Sequence, residues 1–99
     1  MKREPYLLDP YILDTLMADL VGHDHRPSAL LVYLAIHAAA SHGRAALSHA
    51  ELAERTGLSK RSIQNAVALL RRRELIALRQ GGPTEIIEYQ PLTPWRRSS

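Results

Sequence analysis

Residues 48–73 contain two helix starts separated by a glycine, and this spacing constrains the fold more than any other feature of the chain. Ser48 is followed three residues later by Glu51, the spacing of a capping box at a helix N-terminus. Gly57 then ends this short helix, because glycine readily adopts the positive φ of a helix C-terminus. Ser59 can cap the next helix. The pattern predicts two helices joined by a tight turn.

The second of these helices has one apolar face, and a β-hairpin is predicted after it. Apolar residues recur at positions i, i+3, i+4 and i+7, the spacing of a buried stripe: Ile63, Ala66, Val67 and Leu70. Residues 75–79 and 85–89 are rich in strand-forming side chains and flank a turn at 80–84 that contains two glycines and a proline. Strand, turn and strand of these lengths predict a hairpin.

An amphipathic helix is predicted near the N-terminus, over residues 10–21. Asp9 and Pro10 have the order of an N-cap and a first helical residue. Gly22 is predicted to end the helix. The apolar residues between them recur at helical spacing: Ile12, Leu13, Leu16, Met17, Leu20 and Val21.

Ser28 is predicted to cap a further helix, over about residues 29–41, whose apolar residues surround the axis. A helix that is apolar all round must be covered on more than one side. One cover is the helix pair at 48–73, and the other is the amphipathic helix at 10–21, from the same chain or from a partner. Residues 44–47 are too short for a helix and are predicted to form a connection or a brief strand.

Composition and charge place the chain among folded domains with a polyanionic partner. With 45% hydrophobic and 23% charged residues, we expect globular order. Residues 1–25 carry a net charge of −3, whereas residues 26–99 carry +6. A basic excess in one part of a small domain is typical of nucleic-acid binding. The absence of cysteine excludes disulfides and thiolate metal sites.

The order helix, short strand, helix, tight turn, helix and hairpin is that of the winged helix. Leu52-Ala53, Gly57-Leu58-Ser59 and Ile63 resemble the helix-turn-helix signature of bacterial winged-helix regulators. Residues 51–76 are similar to the corresponding part of GntR-type and MarR-type repressors, and they also resemble the winged-helix modules of phage and plasmid replication proteins. The resemblance covers roughly residues 28–90.

The fold class expected is mainly α with a small β-hairpin wing, a winged helix-turn-helix preceded by an extra amphipathic N-terminal helix. Residues 1–25 form an N-terminal arm and helix for packing or dimerisation, and residues 26–95 form the winged helix-turn-helix domain. Residues 96–99 are predicted to be a disordered tail. Trp95 is expected to pack back over the first helix and so to tie the two termini together.

The resemblance implies that the helix at about 59–73 enters the DNA major groove. At about 100° per residue, Arg61, Asn65, Ala68 and Arg72 lie opposite the buried stripe, with Gln64 at the edge. Arginine favours guanine, and asparagine and glutamine favour adenine. The predicted base-reading residues are therefore Arg61, Gln64, Asn65 and Lys60. The alternative is that these side chains form only a solvated helix face.

Phosphate contacts are predicted at both ends of the motif. Arg71 and Arg72 lie where a groove-bound helix passes the DNA backbone, and Ser48 and Ser59 cap helices whose N–H groups can bind phosphate. In the wing, Arg79 and Thr84 flank the tip and are candidate contacts, although an ordinary exposed turn is equally consistent with the residues.

The leading hypothesis is a transcriptional regulator that binds double-stranded DNA sequence-specifically as a homodimer. The candidate dimer residues lie on the amphipathic helix: Leu13, Leu16, Met17 and Leu20. One alternative is a replication or partition initiator module that binds origin DNA. The other is a winged helix used only for protein–protein contact.

Catalysis, metal binding and membrane insertion are not expected. The chain contains no phosphate-binding loop and no nucleophile with a plausible base. His23, Asp24 and His25 lack a second pair of ligands at metal-site spacing, so neither a metal nor another cofactor is predicted. No apolar stretch reaches the length of a membrane span. We expect a cytoplasmic, nucleoid-associated protein with no evident small-molecule ligand.

Overall fold

The computed structural model describes residues 5, 7–40, 43–80 and 86–96, and in it two of the three predicted serine caps, Ser48 and Ser59, start helices. In the capping box, the Ser48 hydroxyl accepts the Glu51 N–H at 3.1 Å and the Glu51 carboxylate accepts the Ser48 N–H at 3.1 Å. Helix α2 (His49–Thr56) follows and ends at Gly57, which has a φ of 78°. The Ser59 hydroxyl accepts the Ser62 N–H and starts helix α3 (Lys60–Arg72). The helix-turn-helix is confirmed.

Helix α1 (Pro27–Ala39) precedes this pair and is buried on several sides. The predicted cap at Ser28 is wrong, because Ser28 lies inside the helix and Arg26 precedes it without a side-chain cap. The helix begins two residues before the predicted start, since Pro27 occupies the first helical position, where a missing N–H costs no hydrogen bond. It packs against α2, α3 and the N-terminal helical segment of the same chain. Both predicted covers therefore come from within the chain.

Three short strands form one antiparallel sheet in the order β1-β3-β2. They are β1 (Ala45–Leu47), β2 (Ile76–Arg79) and β3 (Ile87–Pro91). Tyr89 on β3 lies between Ala45 and Leu78 and faces the core. The mainly helical winged fold with a small sheet is confirmed. The predicted wing tip, including Thr84, lies outside the described residues. Of the predicted disordered tail at 96–99, Arg96 belongs to a short 3-10 helix, Pro94–Arg96, and residues 97–99 lie outside the described residues.

The N-terminal helical segment spans residues 10–23 and contains two π-helical stretches, Ile12–Leu16 and Asp19–His23. The predicted end at Gly22 is wrong, because the Asp24 N–H donates to the Asp19 carbonyl at 2.9 Å and extends the helical hydrogen bonding past the glycine. Its buried side chains belong to the same hydrophobic core as those of the three α-helices.

A cluster that we call the terminal clasp joins the two ends of the chain. Trp95 stacks on Tyr11 with ring centroids 4.6 Å apart, and its indole N–H donates to the Asp9 carboxylate at 2.9 Å. The Arg96 Nε lies 3.1 Å from the same carboxylate oxygen. The other Asp9 oxygen accepts the Tyr11 N–H at 3.0 Å, so Asp9 caps the N-terminal segment as predicted. The expected packing of Trp95 over the first helix is confirmed.

None of the helices in the described ranges has the length and apolar character that crossing a bilayer requires.

Candidate nucleic-acid interface

Helix α3 has one face in the core and one face on the surface. The buried face consists of Ile63, Ala66, Val67, Leu69 and Leu70. The opposite face carries five exposed residues, which we call the recognition stripe: Arg61, Gln64, Asn65, Ala68 and Arg72. Each position follows from the rotation of about 100° per residue in an α-helix. Three of the four predicted base-reading residues, Arg61, Gln64 and Asn65, therefore share one accessible surface with Arg72, whereas Lys60 is exposed in the first turn outside this stripe.

Both ends of α3 are fixed, so the recognition stripe is held on a rigid element. At the start, the Ser59 hydroxyl caps the first turn. At the end, the Glu74 N–H donates to the Arg71 carbonyl at 3.0 Å and the Leu75 N–H donates to the Leu70 carbonyl at 2.8 Å. These two bonds form a Schellman motif. A fixed helix carries its surface side chains on a backbone that needs no further ordering on binding.

The cations near the stripe differ in their surroundings. Lys60, Arg61, Arg71 and Arg72 are exposed, and none of them forms an ion pair with another residue in the described ranges. Arg73 is different, because its guanidinium donates to the Asp24 carboxylate. Cations without a protein counter-charge remain available to displace counterions from a phosphate backbone.

The two helix N-termini are unequal as phosphate sites. The Ser48 N–H is bound by the Glu51 carboxylate, whose negative charge at the start of α2 repels a phosphate. The first turn of α3 contains no acidic residue. The Ser59 hydroxyl accepts the Ser62 N–H and donates to the Ser62 hydroxyl at 3.1 Å, so a phosphate contact there would come from backbone N–H groups. The geometry therefore disfavours a phosphate contact at Ser48. At Ser59 it allows a contact through the backbone N–H groups of the first turn of α3.

The described part of the wing places Arg79 at the exposed end of β2, opposite Glu88 in the strand register. Glu88 lies 3.6 Å from Arg44, so an acidic side chain stands between two arginines. A shallow cleft of about 270 Å³ on the outer face of the sheet is lined by Arg44, Ala77, Leu78, Arg79, Glu88 and Gln90. Arg79 thus shares its surface with a carboxylate.

The four candidate dimer residues separate into two pairs. Leu16 and Leu20 are buried in the core of the chain, with exposures of 2% and 0%. Leu13 and Met17 are exposed by 47% and 39%, and Val21 next to them along the helix is exposed by 40%. We call these three residues the apolar stripe. Sequence reasoning could not separate the two pairs, because both recur at the same helical spacing.

The Asp24–Arg73 ion pair was not predicted at all. The two residues are 49 positions apart, and the sequence around Asp24 indicates only a polar connection. The only sequence signal for such a pair was the acidic excess of residues 1–25. That excess indicates that a carboxylate could pair with an arginine but does not identify which arginine.

A family model described as a helix-turn-helix domain matches residues 26–76, slightly more than half of the chain. The chain belongs to the helix-turn-helix domain family. The match covers α1, β1, α2 and α3 and ends at the first residue of β2, so the N-terminal helical segment and β3 of this helix-turn-helix protein lie outside it. No curated protein and no solved structure matches significantly. Membership of this family indicates DNA binding, and such domains are typically not enzymes.

Proposed function

We propose that this helix-turn-helix protein binds duplex DNA sequence-specifically, with α3 in the major groove, and that it acts as a transcriptional regulator. The observation that supports this most directly is the recognition stripe, a polar and basic surface on a helix whose opposite face is in the core. Arg61, Gln64 and Asn65 offer the side-chain groups that pair with base edges. Lys60 can reach either a base or a phosphate.

The length of α3 divides these roles between its two ends. Arg61 and Arg72 are eleven residues apart, which is about 17 Å along the axis at the α-helical rise. The major groove is about 12 Å wide. When the first turns of α3 contact base edges, the last turn therefore lies beyond the groove, next to the DNA backbone. Arg71 and Arg72 are accordingly proposed to bind phosphates and to supply affinity more than specificity.

The same proposal includes a homodimer, because one recognition helix reads few base pairs and a two-fold pair doubles the site. The apolar stripe of Leu13, Met17 and Val21 is the proposed contact. It runs parallel to the buried row Ile12, Leu16 and Leu20 of the same helical segment, so the core fixes the backbone that carries it. Leu16 and Leu20 are not part of this contact, since they lie in the core.

A Met17→Asp variant tests the dimer. A charge in the centre of the apolar stripe should shift the protein from dimer to monomer in sedimentation experiments at micromolar concentration, while leaving its circular dichroism spectrum unchanged. Thr15→Asp is the matched control, because it adds the same charge to an exposed position on another face of the same segment. A wild-type protein that sediments only as a monomer would contradict the dimer proposal.

Selection of duplexes from a random library tests the mode of DNA binding. We expect a palindromic consensus whose half-sites are about one helical turn apart, as two-fold symmetry requires. Directly repeated sites would instead favour the replication or partition module. No duplex binding at about 50 mM salt would favour a winged helix used only for protein contact, because electrostatic DNA binding is strongest at low salt.

A further inference from the structure

Three consecutive arginines lie at the C-terminal end of α3, two in its last turn and Arg73 at its C-cap, and only Arg73 forms an ion pair with a described residue. At about 100° per residue, Arg71 and Arg73 lie at equal angles on the two sides of Arg72. Arg71 and Arg72 form no ion pair with the described residues, whereas Arg73 donates to Asp24. Angular position around the helix axis therefore does not explain why Arg71 and Arg73 differ in ion pairing. The position of Asp24 does.

The ion pair joins two helix ends that are already fixed by backbone hydrogen bonds. The Asp24 N–H closes the N-terminal helical segment on Asp19 at 2.9 Å, and the Arg73 N–H closes α3 on Leu69 at 2.9 Å. The side chains of Asp24 and Arg73 are 17% and 35% exposed. Because both backbones are held, pairing orders only the two side chains, and partial burial reduces screening by salt.

We infer that Asp24 withholds Arg73 from DNA, so that the acidic N-terminal segment limits how many phosphates α3 can contact. This inference rests on the proposed function. A helix in the major groove has a phosphate backbone on each side, and the flanks of α3 that carry Arg71 and Arg73 face opposite ways. Asp24 neutralises the cation on one flank, so that flank presents no net positive charge to a phosphate. Sequence-independent affinity is lowered, while the base-reading residues are untouched.

Salt titration of binding to a random-sequence duplex tests this inference. Each additional phosphate contact steepens the slope of log K against log salt by about 0.9. Asp24→Ala should therefore bind more tightly at low salt and steepen the slope by about that amount. Arg73→Gln should leave the slope at the wild-type value, and the double variant should return to it. Asp14→Ala, which removes an exposed carboxylate of the same helical segment, is the matched control and should not change the slope.

Two outcomes would overturn the inference while the proposed function stands. One is a wild-type slope for a folded Asp24→Ala protein when Arg72→Ala flattens the slope by about 0.9. The other is a flatter slope for Arg73→Gln, which would mean that Arg73 already binds phosphate in the wild-type protein. If Asp24→Ala fails to fold, the slope of Arg73→Gln alone tests the inference. If the wild-type protein binds no duplex at low salt, the proposed function fails and the inference fails with it.

Discussion

At the residue scale, Tyr33 and Tyr89 are the two largest fully buried side chains, and their hydroxyl groups have opposite surroundings. The Tyr33 hydroxyl donates to the Leu92 carbonyl at 2.9 Å. The Tyr89 hydroxyl is buried without a hydrogen-bond partner among the described residues. Burial raises the pKa of each phenol to about 12, and for Tyr33 the nearby Asp9 carboxylate adds to this rise. The same side chain thus stabilises the core differently at the two positions.

Replacing each tyrosine by phenylalanine should change stability in opposite directions. Tyr33→Phe should lower the free energy of unfolding by about 1 kcal/mol, because a net favourable hydrogen bond is lost. Tyr89→Phe should raise it by about 1 kcal/mol, because an unsatisfied buried hydroxyl is removed. Urea titration at pH 7 measures both, and each variant serves as the control for the other. Equal losses in both variants would show that the Tyr89 hydroxyl has a partner.

At the scale of elements, the C-terminus of α3 is closed by a residue that is unusual in that position. Glu74 has a φ of 57° in the Schellman motif, where glycine is most common. Gly57 has a φ of 78° at the corresponding point of α2. A side chain with a β-carbon is strained in this left-handed region, whereas glycine is not. Helix α2 therefore ends at a glycine without backbone strain, whereas α3 ends at a strained glutamate.

Glu74→Gly should raise the free energy of unfolding by about 1 kcal/mol, because the left-handed conformation then costs little. Glu54→Gly is the matched control, since it makes the same chemical change at an exposed position within α2, where glycine should lower stability by roughly 0.5–1 kcal/mol. Thermal unfolding of the two variants gives the comparison. If both variants lost stability, the strain at Glu74 would be too small to matter.

The starts of α2 and α3 were predictable because each depends on a local pattern, whereas the cap predicted at Ser28 was wrong because Ser28 lies inside α1. Ser48, Glu51 and Ser59 occupy positions at which a hydroxyl or carboxylate reaches the free N–H groups of a first turn, and the structure has each of these bonds. The ends were less predictable. Gly22 has the residue type of a helix end but lies inside a π-helical stretch, and Glu74 ends a helix without that residue type. Hydrogen bonding and packing, rather than propensity, decide these positions.

At the scale of the whole molecule, the terminal clasp brings residues from both ends of the chain together around one carboxylate. The Trp95 indole N–H, the Tyr11 N–H and the Arg96 guanidinium lower the pKa of Asp9 below 3.8, against a smaller opposing effect of desolvation. A carboxyl group whose pKa is lower in the folded state stabilises the fold above its unfolded pKa. That contribution is lost as the pH falls through the lower, folded value.

Asp9→Asn should therefore reduce stability at neutral pH, and the difference from wild type should narrow as the pH falls from about 4, where Asp9 of the unfolded chain is protonated, through the lower pKa of Asp9 in the folded protein. Urea midpoints measured between pH 7 and pH 2 give this comparison. Asp14→Asn, at an exposed position of the same segment, should match wild type throughout. A difference that stayed constant with pH would show that the Asp9 charge does not contribute to the clasp.

Long-range contacts account for what sequence reasoning missed. The helical spacing of the N-terminal segment showed two apolar rows but could not show that Leu16 and Leu20 face the core while Leu13 and Met17 face solvent. The run Arg71 to Arg73 gave three equivalent cations, and only the fold brings Asp24 to one of them. The recognition stripe, by contrast, followed from the rotation of a single helix and needed no tertiary information.

The central claim is that α3 reads base edges, and the binding of an Asn65→Ala variant tests it most directly. Binding is measured on the selected duplex and on a random duplex at one salt concentration. Removal of a base-reading amide should cost about 1–3 kcal/mol on the selected site and little on the random one, because phosphate contacts remain. An unchanged circular dichroism spectrum of the variant is the control for folding. Equal losses on both duplexes would contradict base reading by α3.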